Sequence, residues 1–288
     1  MKLALGTAQF GTNYGVANHQ GQTSRQEAKN ILKIAQSAGI RTLDTAVSYG
    51  FAEEVLGEIG IHDFDCMSKL PLLPKNVGDI KAWVNTQIIE SINRLGISHL
   101  SGMLLHHPDD ILGLRGNEYL IALLDAKDQG YIENIGFSIY SPEILDKVTR
   151  VFWPDIVQVP YNVFDQRINT SGWLDRLVDR GTKIHARSVF LQGLLLMQSD
   201  KRPKYFDKWN KYLATWDDLV ATQNISPMEY ALNYVIADSK IDKVIVGVDN
   251  GGQLSELISA CDLKVGRELN SLVIDDLGLI EPSRWVLQ

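Results

Sequence analysis

The amino-acid sequence predicts a (β/α)8 TIM barrel, in which eight parallel strands form a closed cylinder inside a ring of helices. Three observations predict this fold. Short apolar runs alternate eight times with longer segments of helical periodicity. The alternation is uninterrupted, which favours a closed barrel over an open doubly wound sheet. The length of 288 residues suits a barrel of ~250 residues, and no linker divides it, so we expect one domain over residues 1–288.

The predicted strands are short and rich in apolar and β-branched residues, and turn-forming residues bound them. In chain order they are Lys2–Leu5, Thr42–Asp44, Asp65–Leu70, Gly102–Leu105, Asn134–Ser138, Ile156–Val159, Lys183–Ala186 and Lys243–Val246. The predicted helices share the hydrophobic period of an α-helix. They are Ser24–Gly39, Phe51–Gly57, Asp79–Leu95, Asn117–Gln129, a helix that begins at Pro142, Trp173–Asp179, Pro227–Ala237 and Gln253–Ala260. A longer excursion, Leu191–Asn224, is expected to be helical around Lys208–Val220.

Local signals set the ends of several of these helices. Ser24 and Glu27 form a candidate capping box at the start of the first helix, and Gly39 lies at its end. Gly96 ends the long helix after the third strand. Pro142 suits the first position of a helix, because the N–H that it lacks would have no helical partner there. The hydrophobic period and these end signals therefore agree on where the helices begin and end.

The composition, with 45% hydrophobic and 22% charged residues, is that of an ordinary globular protein. A formal net charge of −7 argues against a nucleic-acid partner. The two cysteines, Cys66 and Cys261, lack metal-binding or redox spacing, which favours a reducing, cytoplasmic compartment. No apolar run approaches the ~20 residues of a membrane span, and the first residues do not resemble a signal peptide. The sequence specifies no oligomeric state.

Ionisable side chains follow the predicted carboxyl ends of neighbouring strands. Asp44 ends the second strand, and Tyr49 lies five residues beyond it, just before a glycine turn. Lys69 lies near the end of the third strand, and His106 follows the fourth. Because the catalytic side chains of (β/α)8 barrels lie at this end of the strands, their joint placement predicts an active site.

Each of these residues has a simpler structural explanation when it is taken alone. Asp44 could be a cap or a solvated turn residue, Tyr49 a rim aromatic, and His106 a satisfied core histidine. Lys69 is harder to explain in this way, since an ammonium within an apolar strand must be paired or functional. Four such groups on three adjacent strand ends favour the functional interpretation.

These residue types together suit the protonation of an alkoxide. A tyrosine is a poor acid at neutral pH, with a pKa near ~10. A buried lysine cation beside a tyrosine favours the phenolate and so strengthens the acid. An aspartate beside the lysine holds it charged and oriented, and a histidine near the phenol can orient a carbonyl oxygen.

Five motifs occur in the order known from one family. They are Asp44-Thr45-Ala46-x-x-Tyr49-Gly50, Ser68-Lys69, Leu104-Leu105-His106-x-Pro108, Gly136-Phe137-Ser138 and Gln158-Val159-Pro160-Tyr161-Asn162. With Leu5-Gly6-Thr7 before them, the chain resembles the aldo/keto reductase superfamily. The resemblance implies that Tyr49 is the general acid, tuned by Asp44 and Lys69. It also implies that His106 orients the carbonyl of a small-molecule substrate, which is reduced to an alcohol.

The resemblance further implies a nicotinamide cofactor, NADP(H) or NAD(H), across the mouth of the barrel. Ser138 and Gln158 would hold its carboxamide, and the segment 188–193 would cover its pyrophosphate. The implied cofactor-binding residues are Gly6, Thr7, Asp44, Ser138, Gln158, Arg187, Ser188, Phe190, Gln192, Gly193, Gly247, Asp249, Gln253 and Glu256. The implied substrate-binding residues are Tyr49, His106 and His107. The lack of a G-x-G-x-x-G motif is then expected, because this family does not bind its dinucleotide on a Rossmann fold.

Three positions depart from the family pattern near the expected nicotinamide. Ile139 replaces the asparagine that usually follows Ser138, which removes one contact to the carboxamide. Arg187 stands where many members have a tyrosine stacked on the nicotinamide, and it could instead bind a phosphate or a substrate carboxylate. This favours a polar or anionic substrate such as a sugar derivative. His107 stands where several members have a pocket tryptophan.

The largest departure lies in the turn that enters the last helix, Val246–Glu256, where the family binds the adenosine end of the cofactor. NADPH-selective members usually place lysine or arginine there, whereas this stretch has neither. Asp249 would repel a 2′-phosphate but could accept a hydrogen bond from a 2′-hydroxyl. A phosphate could still be bound by backbone amides at the helix N-terminus, so the sequence leaves NADPH and NADH as alternatives.

Two other interpretations compete with a working reductase. A member that lost turnover and became a cofactor-sensing or partner-binding subunit would explain Ile139, Arg187 and Asp249, but it would not need the complete catalytic set. A metal-dependent hydrolase would use His106, His107 and the aspartates after them. Neighbouring residues on a strand point to opposite faces, so the two histidines are poorly placed to share one metal. We therefore predict no metal site.

Overall fold

The computed structural model describes residues 1–16, 18, 21–261, 263, 265–266 and 272–287. Its strands are parallel, each pairs with its neighbour in chain order, and the last pairs with the first to close a barrel. They are β1 (Leu3–Gly6), β2 (Thr42–Asp44), β3 (Asp65–Leu70), β4 (Gly102–Leu105), β5 (Ile135–Ser138), β6 (Ile156–Pro160), β7 (Lys183–Arg187) and β8 (Lys243–Gly247). The predicted (β/α)8 barrel is confirmed.

Helices surround the barrel and connect its strands. The α-helices in the described residues are α1 (Ala8–Gly11), α2 (Arg25–Ser37), α3 (Ala52–Ile59), α4 (Ile80–Leu95), α5 (Gly116–Asp128), α6 (Leu145–Val148), α7 (Arg167–Thr170), α8 (Trp173–Asp179), α9 (Asn210–Gln223), α10 (Pro227–Ile236), α11 (Gly251–Ala260) and α12 (Leu277–Ile280). The short 3-10 helices in the described residues include Pro108–Leu112, Pro142–Ile144, Leu191–Leu196, Ser199–Lys201, Lys204–Trp209 and Pro282–Arg284. None of the helices in these ranges is long and apolar enough to cross a membrane.

Most predicted elements lie close to the observed ones, because the hydrophobic period and the end signals agree. The predicted second, third and fourth strands coincide with β2, β3 and β4. At the long helix α4, Asp79 Oδ1 accepts a hydrogen bond from Ala82 N at 2.9 Å. Gly96 ends α4 in a left-handed conformation with φ 65°. The helix predicted to begin at Pro142 is instead one 3-10 turn that leads into α6.

The predicted capping box at the start of α2 forms only in part. The Ser24 side chain accepts a hydrogen bond from Glu27 N at 3.2 Å, as expected. The Glu27 carboxylate, however, accepts a hydrogen bond from Gly251 N at 2.6 Å, and so it ties α2 to the start of α11. A complete capping box joins Ser226 and Glu229 at the start of α10.

An apolar layer fills the barrel below the candidate site. Met67, Leu104 and Ile156 form a buried cluster apart from the larger core between strands and helices. Gly102 makes room for it, because a Cβ there would lie 2.1 Å from the Met67 side chain. Lys69 lies two residues beyond Met67 and therefore on the same face of β3. This layer thus supports the candidate site from below.

The excursion after β7 uses its aromatic side chains for packing. Trp209 and Trp216 are 3% and 0% exposed. Trp216 Nε1 donates a hydrogen bond to Leu195 O at 3.0 Å, which fixes α9 against the preceding 3-10 segment. That segment, Leu191–Leu196, contributes to the wall of the cavity that opens at this end of the barrel.

Candidate active site

A cavity of about 510 Å³ opens at the carboxyl ends of the strands. The predicted site residues that line it are Gly6, Thr7, Asp44, Tyr49, His106, Ser138, Gln158, Arg187, Ser188, Phe190, Gln192, Gly193, Gly247, Asp249, Gln253 and Glu256. Lys69 and His107 are the two predicted residues outside the lining. The sequence did not single out several other lining residues, among them Gln9, Tyr14, Tyr140 and Met228. The aromatic or apolar character of Tyr14, Tyr140 and Met228 gives no local signal of function, and a single amide such as Gln9 gives none either.

A buried ion pair lies at the centre of the site. Lys69 is fully buried, and its Nζ donates to Asp44 Oδ2 at 2.7 Å and to Thr45 O at 2.8 Å. Burial alone would lower the pKa of Lys69, but the Asp44 carboxylate and Tyr49 raise that pKa above its usual value. Nζ also lies 4.9 Å from the centre of the Tyr49 ring. Lys69 is therefore a permanent cation that acts on the cavity through Asp44 and Tyr49.

Asp44 has a second partner on the opposite side of the barrel. Gln158 Nε2 donates to Asp44 Oδ1 at 2.6 Å, so each oxygen of this carboxylate has a donor. Ser138 Oγ donates in turn to Gln158 Oε1 at 3.4 Å. The chain of contacts from Ser138 to Lys69 thus joins β5, β6, β2 and β3. Asp44 and Gln158 are 114 residues apart, and no sequence signal pairs them.

His106 lies beside Tyr49, just beyond the end of β4. The two rings pack edge to face with their centroids 6.0 Å apart. Burial, with the positive charges of Lys69 and Arg187, lowers the pKa of His106 to about 3, so the ring is neutral at physiological pH. His106 Nδ1 lies 3.4 Å from Ser48 Oγ. Sequence reasoning missed Ser48, and its place directly before Tyr49 was the signal that could have found it.

The structure does not place His107 in the substrate pocket, where the resemblance implied it. Its side chain is exposed outside the cavity, and its ring centroid lies 6.1 Å from that of His106. Adjacent residues of extended backbone point in opposite directions, so the cavity receives one of the two histidines. Asp110 accepts a hydrogen bond from Leu73 N at 2.9 Å. Along the part of the chain that the structure describes, no three His, Cys, Asp or Glu side chains are grouped to hold a metal ion.

The segment 188–193 has an unusual backbone. Ser188, Leu191 and Gln192 have φ values of 58°, 46° and 51°, in the left-handed region that non-glycine residues rarely adopt. Asn162 Nδ2 donates to Ser188 O at 3.0 Å, and Val16 N donates to Gln192 O at 3.1 Å. These bonds hold the strained conformation in place. Such strain is commonly found where a segment contacts a ligand.

Carboxylates dominate the end of the cavity near α11. Asp249 and Glu256 line this end, and Glu27 accepts the hydrogen bond from Gly251 N at 2.6 Å just behind it. Asp249 N donates to Gln253 Oε1 at 2.8 Å. Burial raises the pKa of the Asp249 carboxyl, and a hydrogen bond with the Gln253 side chain opposes that shift. Among the described residues that line the cavity there is no lysine, and the single arginine lies on β7.

The whole barrel matches a known family in sequence. Residues 2–272 match the model of the aldo/keto reductase family. The chain belongs to this family. It is therefore an oxidoreductase, and aldo/keto reductases generally use NAD(P)H.

Relatives of this aldo/keto reductase are similar along most of their length. L-glyceraldehyde 3-phosphate reductase of Escherichia coli K12 is 24% identical over 286 residues, which cover 85% of this chain and 82% of the relative. D-threo-aldose 1-dehydrogenase of a Pseudomonas species is 25% identical over 295 residues, covering 88% and 89%. The solved structure of an aldo-keto reductase of Bacillus halodurans in its holo form has a TM-score of 0.75 at 20% identity, and covers 94% of this chain and 90% of that one. The last comparison confirms the fold.

Proposed function

We propose that this aldo/keto reductase reduces an aldehyde or ketone, such as a sugar derivative, to an alcohol. The observation that carries the proposal is the buried Lys69–Asp44 pair beside Tyr49 and His106, at one end of the cavity. A buried cation next to a phenol stabilises the phenolate that remains after the phenol gives up its proton. The names of the relatives, an L-glyceraldehyde 3-phosphate reductase and a D-threo-aldose 1-dehydrogenase, support a sugar-related carbonyl substrate.

In this proposal Tyr49 is the general acid. It gives its proton to the substrate oxygen as that oxygen becomes an alkoxide. The Lys69 cation stabilises the phenolate that remains, and the protein interior prevents salt from screening it. Asp44 keeps Lys69 charged, and Gln158 keeps Asp44 in place.

His106 is the proposed donor to the substrate carbonyl oxygen. Since the ring is neutral, one ring nitrogen carries a proton and can donate a hydrogen bond, while the other nitrogen can accept one. A hydrogen bond donated by Ser48 Oγ to Nδ1 leaves Nε2 as the N–H donor. Tyr49 and His106 would then hold the carbonyl oxygen between two donors and fix its orientation.

The cavity fits a nicotinamide dinucleotide in size and in the order of its groups. Its volume of about 510 Å³ lies within the usual range for such sites. Ser138 and Gln158 lie next to the catalytic residues and would hold the carboxamide, while the segment 188–193 would contact the pyrophosphate. Asp249 would lie at the adenosine end. When bound, the reduced nicotinamide would supply the hydride.

Within this function we expect NAD(H) to be preferred over NADP(H). The carboxylates of Asp249 and Glu256 line the adenosine end, and that of Glu27 lies behind it. A 2′-phosphate would be repelled by this negative charge, whereas a 2′-hydroxyl can donate a hydrogen bond to a carboxylate. No cationic side chain of the described cavity lining stands at this end to compensate.

The test is a fluorescence titration of the purified protein with NADH and with NADPH, for the wild type and Tyr49→Phe. A reductase assay on a panel of aldehydes and aldoses accompanies it. We expect NADH to bind both proteins at micromolar concentration, and turnover to fall by about 10²- to 10⁴-fold in Tyr49→Phe. If neither dinucleotide binds, or if Tyr49→Phe turns over at the wild-type rate, the proposed function is wrong.

A further inference from the structure

A guanidinium without a carboxylate partner lies in the wall of the cavity, at the end of β7. Arg187 is half-buried; its Nη2 donates to Ile139 O at 2.9 Å and its Nη1 to Ser188 Oγ at 3.1 Å. Within the described residues no ion pair joins it to a carboxylate. Asp165, whose carboxylate feels the charge of Arg187, is itself bonded to Arg167 at 2.8 Å.

The surroundings fix the orientation of this guanidinium. Its central carbon lies 4.5 Å from the centre of the Tyr140 ring, so the cation stacks on an aromatic face. Ile139, whose carbonyl oxygen accepts the hydrogen bond from Arg187, directly precedes Tyr140, so one loop supplies both contacts. Two of the five N–H donors of Arg187 are used in the bonds to Ile139 and Ser188. Arg187 itself lines the cavity, and no hydrogen bond within the described residues uses its other donors.

The same cation lies close to the catalytic end. After burial and the charge of Lys69, the charge of Arg187 is the next cause that lowers the pKa of His106. Tyr14, which lines the cavity with Tyr140 and is 42% exposed, also lies within reach of its charge. Arg187 and these two phenols therefore form a polar recess within reach of the expected position of the substrate carbonyl.

We propose that Arg187 binds an anionic oxygen group, a carboxylate or a phosphate, that the carbonyl substrate itself carries. This inference rests on the proposed function, because it names the substrate class of the same site. A half-buried, unpaired cation is unfavourable until an anion neutralises it. A guanidinium held in one plane binds a carboxylate or phosphate through two parallel hydrogen bonds, which an ammonium cannot do. The main rival occupant is the pyrophosphate of the dinucleotide, since Ser188 directly follows Arg187.

The experiment compares matched substrates that differ in charge. The first pair is 4-carboxybenzaldehyde and its neutral methyl ester, and the second is glyceraldehyde 3-phosphate and glyceraldehyde. We expect wild-type kcat/KM to be about 10- to 100-fold higher for the charged member of at least one pair, and which pair responds separates carboxylate from phosphate. In Arg187→Met the ratio should fall to about one, and in Arg187→Lys it should be intermediate.

A matched control removes the same charge elsewhere. Arg25 is exposed and pairs with Glu58 at 2.6 Å, so Arg25→Met should keep the wild-type ratio. The proposal is wrong if the wild type prefers neither charged member, or if Arg187→Met keeps the preference. It is also wrong if Arg187→Met raises the Kd of NADH tenfold and lowers kcat/KM equally for both members of a pair, because Arg187 then serves the dinucleotide.

A second measurement separates this inference from the proposed function. Binding of the anion 4-(hydroxymethyl)benzoate and of neutral 1,4-benzenedimethanol is measured by calorimetry in the presence of NADH, which cannot take a hydride from either alcohol. Preferential binding of the anion by the wild type, lost in Arg187→Met, supports the anion site even if no aldehyde is turned over. Equal binding of both compounds, together with equal kcat/KM for glyceraldehyde 3-phosphate and glyceraldehyde, overturns it.

Discussion

The two ends of the cavity that we propose as the catalytic end and the adenosine end differ in how their charges are held. At the catalytic end, Lys69 and Asp44 are 0% and 4% exposed and are bonded to each other inside the protein. At the adenosine end, Gln253 and Glu256 are exposed, and Asp249 is half-buried. At the first end the charged groups have partners within the protein, whereas the second end presents its polar groups to solvent.

This difference separates the residues that the proposed reaction requires from those that would select the cofactor. One member of a buried ion pair cannot be removed without leaving an unpaired charge in the interior. An exposed carboxylate can be replaced at little cost in stability. Substitutions at the catalytic end should therefore lower activity and stability together, while substitutions at the adenosine end should change the choice of cofactor.

The largest effect is expected for Lys69→Met. This change leaves the Asp44 carboxylate buried without its cation, so the free energy of unfolding should fall by about 3–5 kcal/mol, and kcat should fall by about 10²- to 10⁴-fold. Urea unfolding and a reductase assay measure the two effects. Because the pKa of Lys69 is raised, the stabilisation is fully present below its unfolded value of ~10.4 and is lost only as pH rises through the higher folded value.

The matched control for this prediction is Lys81→Met. Lys81 pairs with Asp125 on the outer surface, where its side chain is 58% exposed. Exposed pairs contribute about 0–1 kcal/mol, so this variant should unfold nearly as the wild type does. Equal losses of stability in the two variants would contradict the proposed difference between buried and exposed charges.

The contact across the barrel should give the next largest effect. In Gln158→Leu, Asp44 Oδ1 loses its donor at 2.6 Å, so the free energy of unfolding should fall by about 1–3 kcal/mol. Activity should fall as well, since Asp44 then holds Lys69 less firmly. Gln158→Glu, which places a second carboxylate against Asp44, should be more damaging near neutral pH than Gln158→Leu. Wild-type stability in both variants would show that this contact contributes nothing.

At the adenosine end, Asp249→Arg should change cofactor choice without a comparable loss of stability. Replacing the carboxylate by a cation should raise the ratio of kcat/KM for NADPH to that for NADH by about tenfold or more. Asp128→Arg, the same change on the exposed surface of α5, is the control and should leave the ratio unaltered. A ratio that stays fixed in Asp249→Arg would mean that Asp249 does not face the ribose.

The smallest effect concerns the pH dependence of His106. Its folded pKa of about 3 lies below its unfolded value of ~6.5, so its contribution to stability is present above pH 6.5 and is lost as pH falls. Between pH 7 and pH 5.5 the wild type should therefore lose about 1 kcal/mol more stability than His106→Asn. His185, whose pKa burial lowers to about 4, contributes equally in both proteins. Parallel losses in the two proteins would contradict the lowered pKa of His106.

The sequence predicted the fold, and it predicted that the side chains proposed for catalysis lie at one rim, because both depend on short-range patterns. A period of two along a strand puts Met67 and Lys69 on one face, and parallel strands bring their carboxyl ends to one edge. These rules depend on residues that are close together in the sequence, so they can be applied to the sequence alone. They also explain why Asp44 and Lys69 could be expected at one rim before their 2.7 Å contact was known.

Contacts that depend on barrel closure could not be predicted in this way. Gln158 bonds to Asp44 across 114 residues, and Glu27 bonds to Gly251 across 224. The Glu27 contact also explains why the predicted capping box is incomplete, since a tertiary donor replaces the local one. The left-handed backbone of Ser188 and its neighbours is likewise imposed by tertiary hydrogen bonds, because these residue types do not favour it.

The hydrogen bond from Gly251 N to Glu27 has a consequence for how the chain is made. Together with the pairing of β1 and β8, it joins an early part of the molecule to a late one. On a ribosome, which adds ~5–20 residues per second, β1 and β7 emerge with unpaired edges until β8 follows. Such open edges favour wrong pairing. The adenosine end and the closed barrel form in the same interval, so a dinucleotide present at that moment can stabilise the newly made protein as soon as its last strand docks.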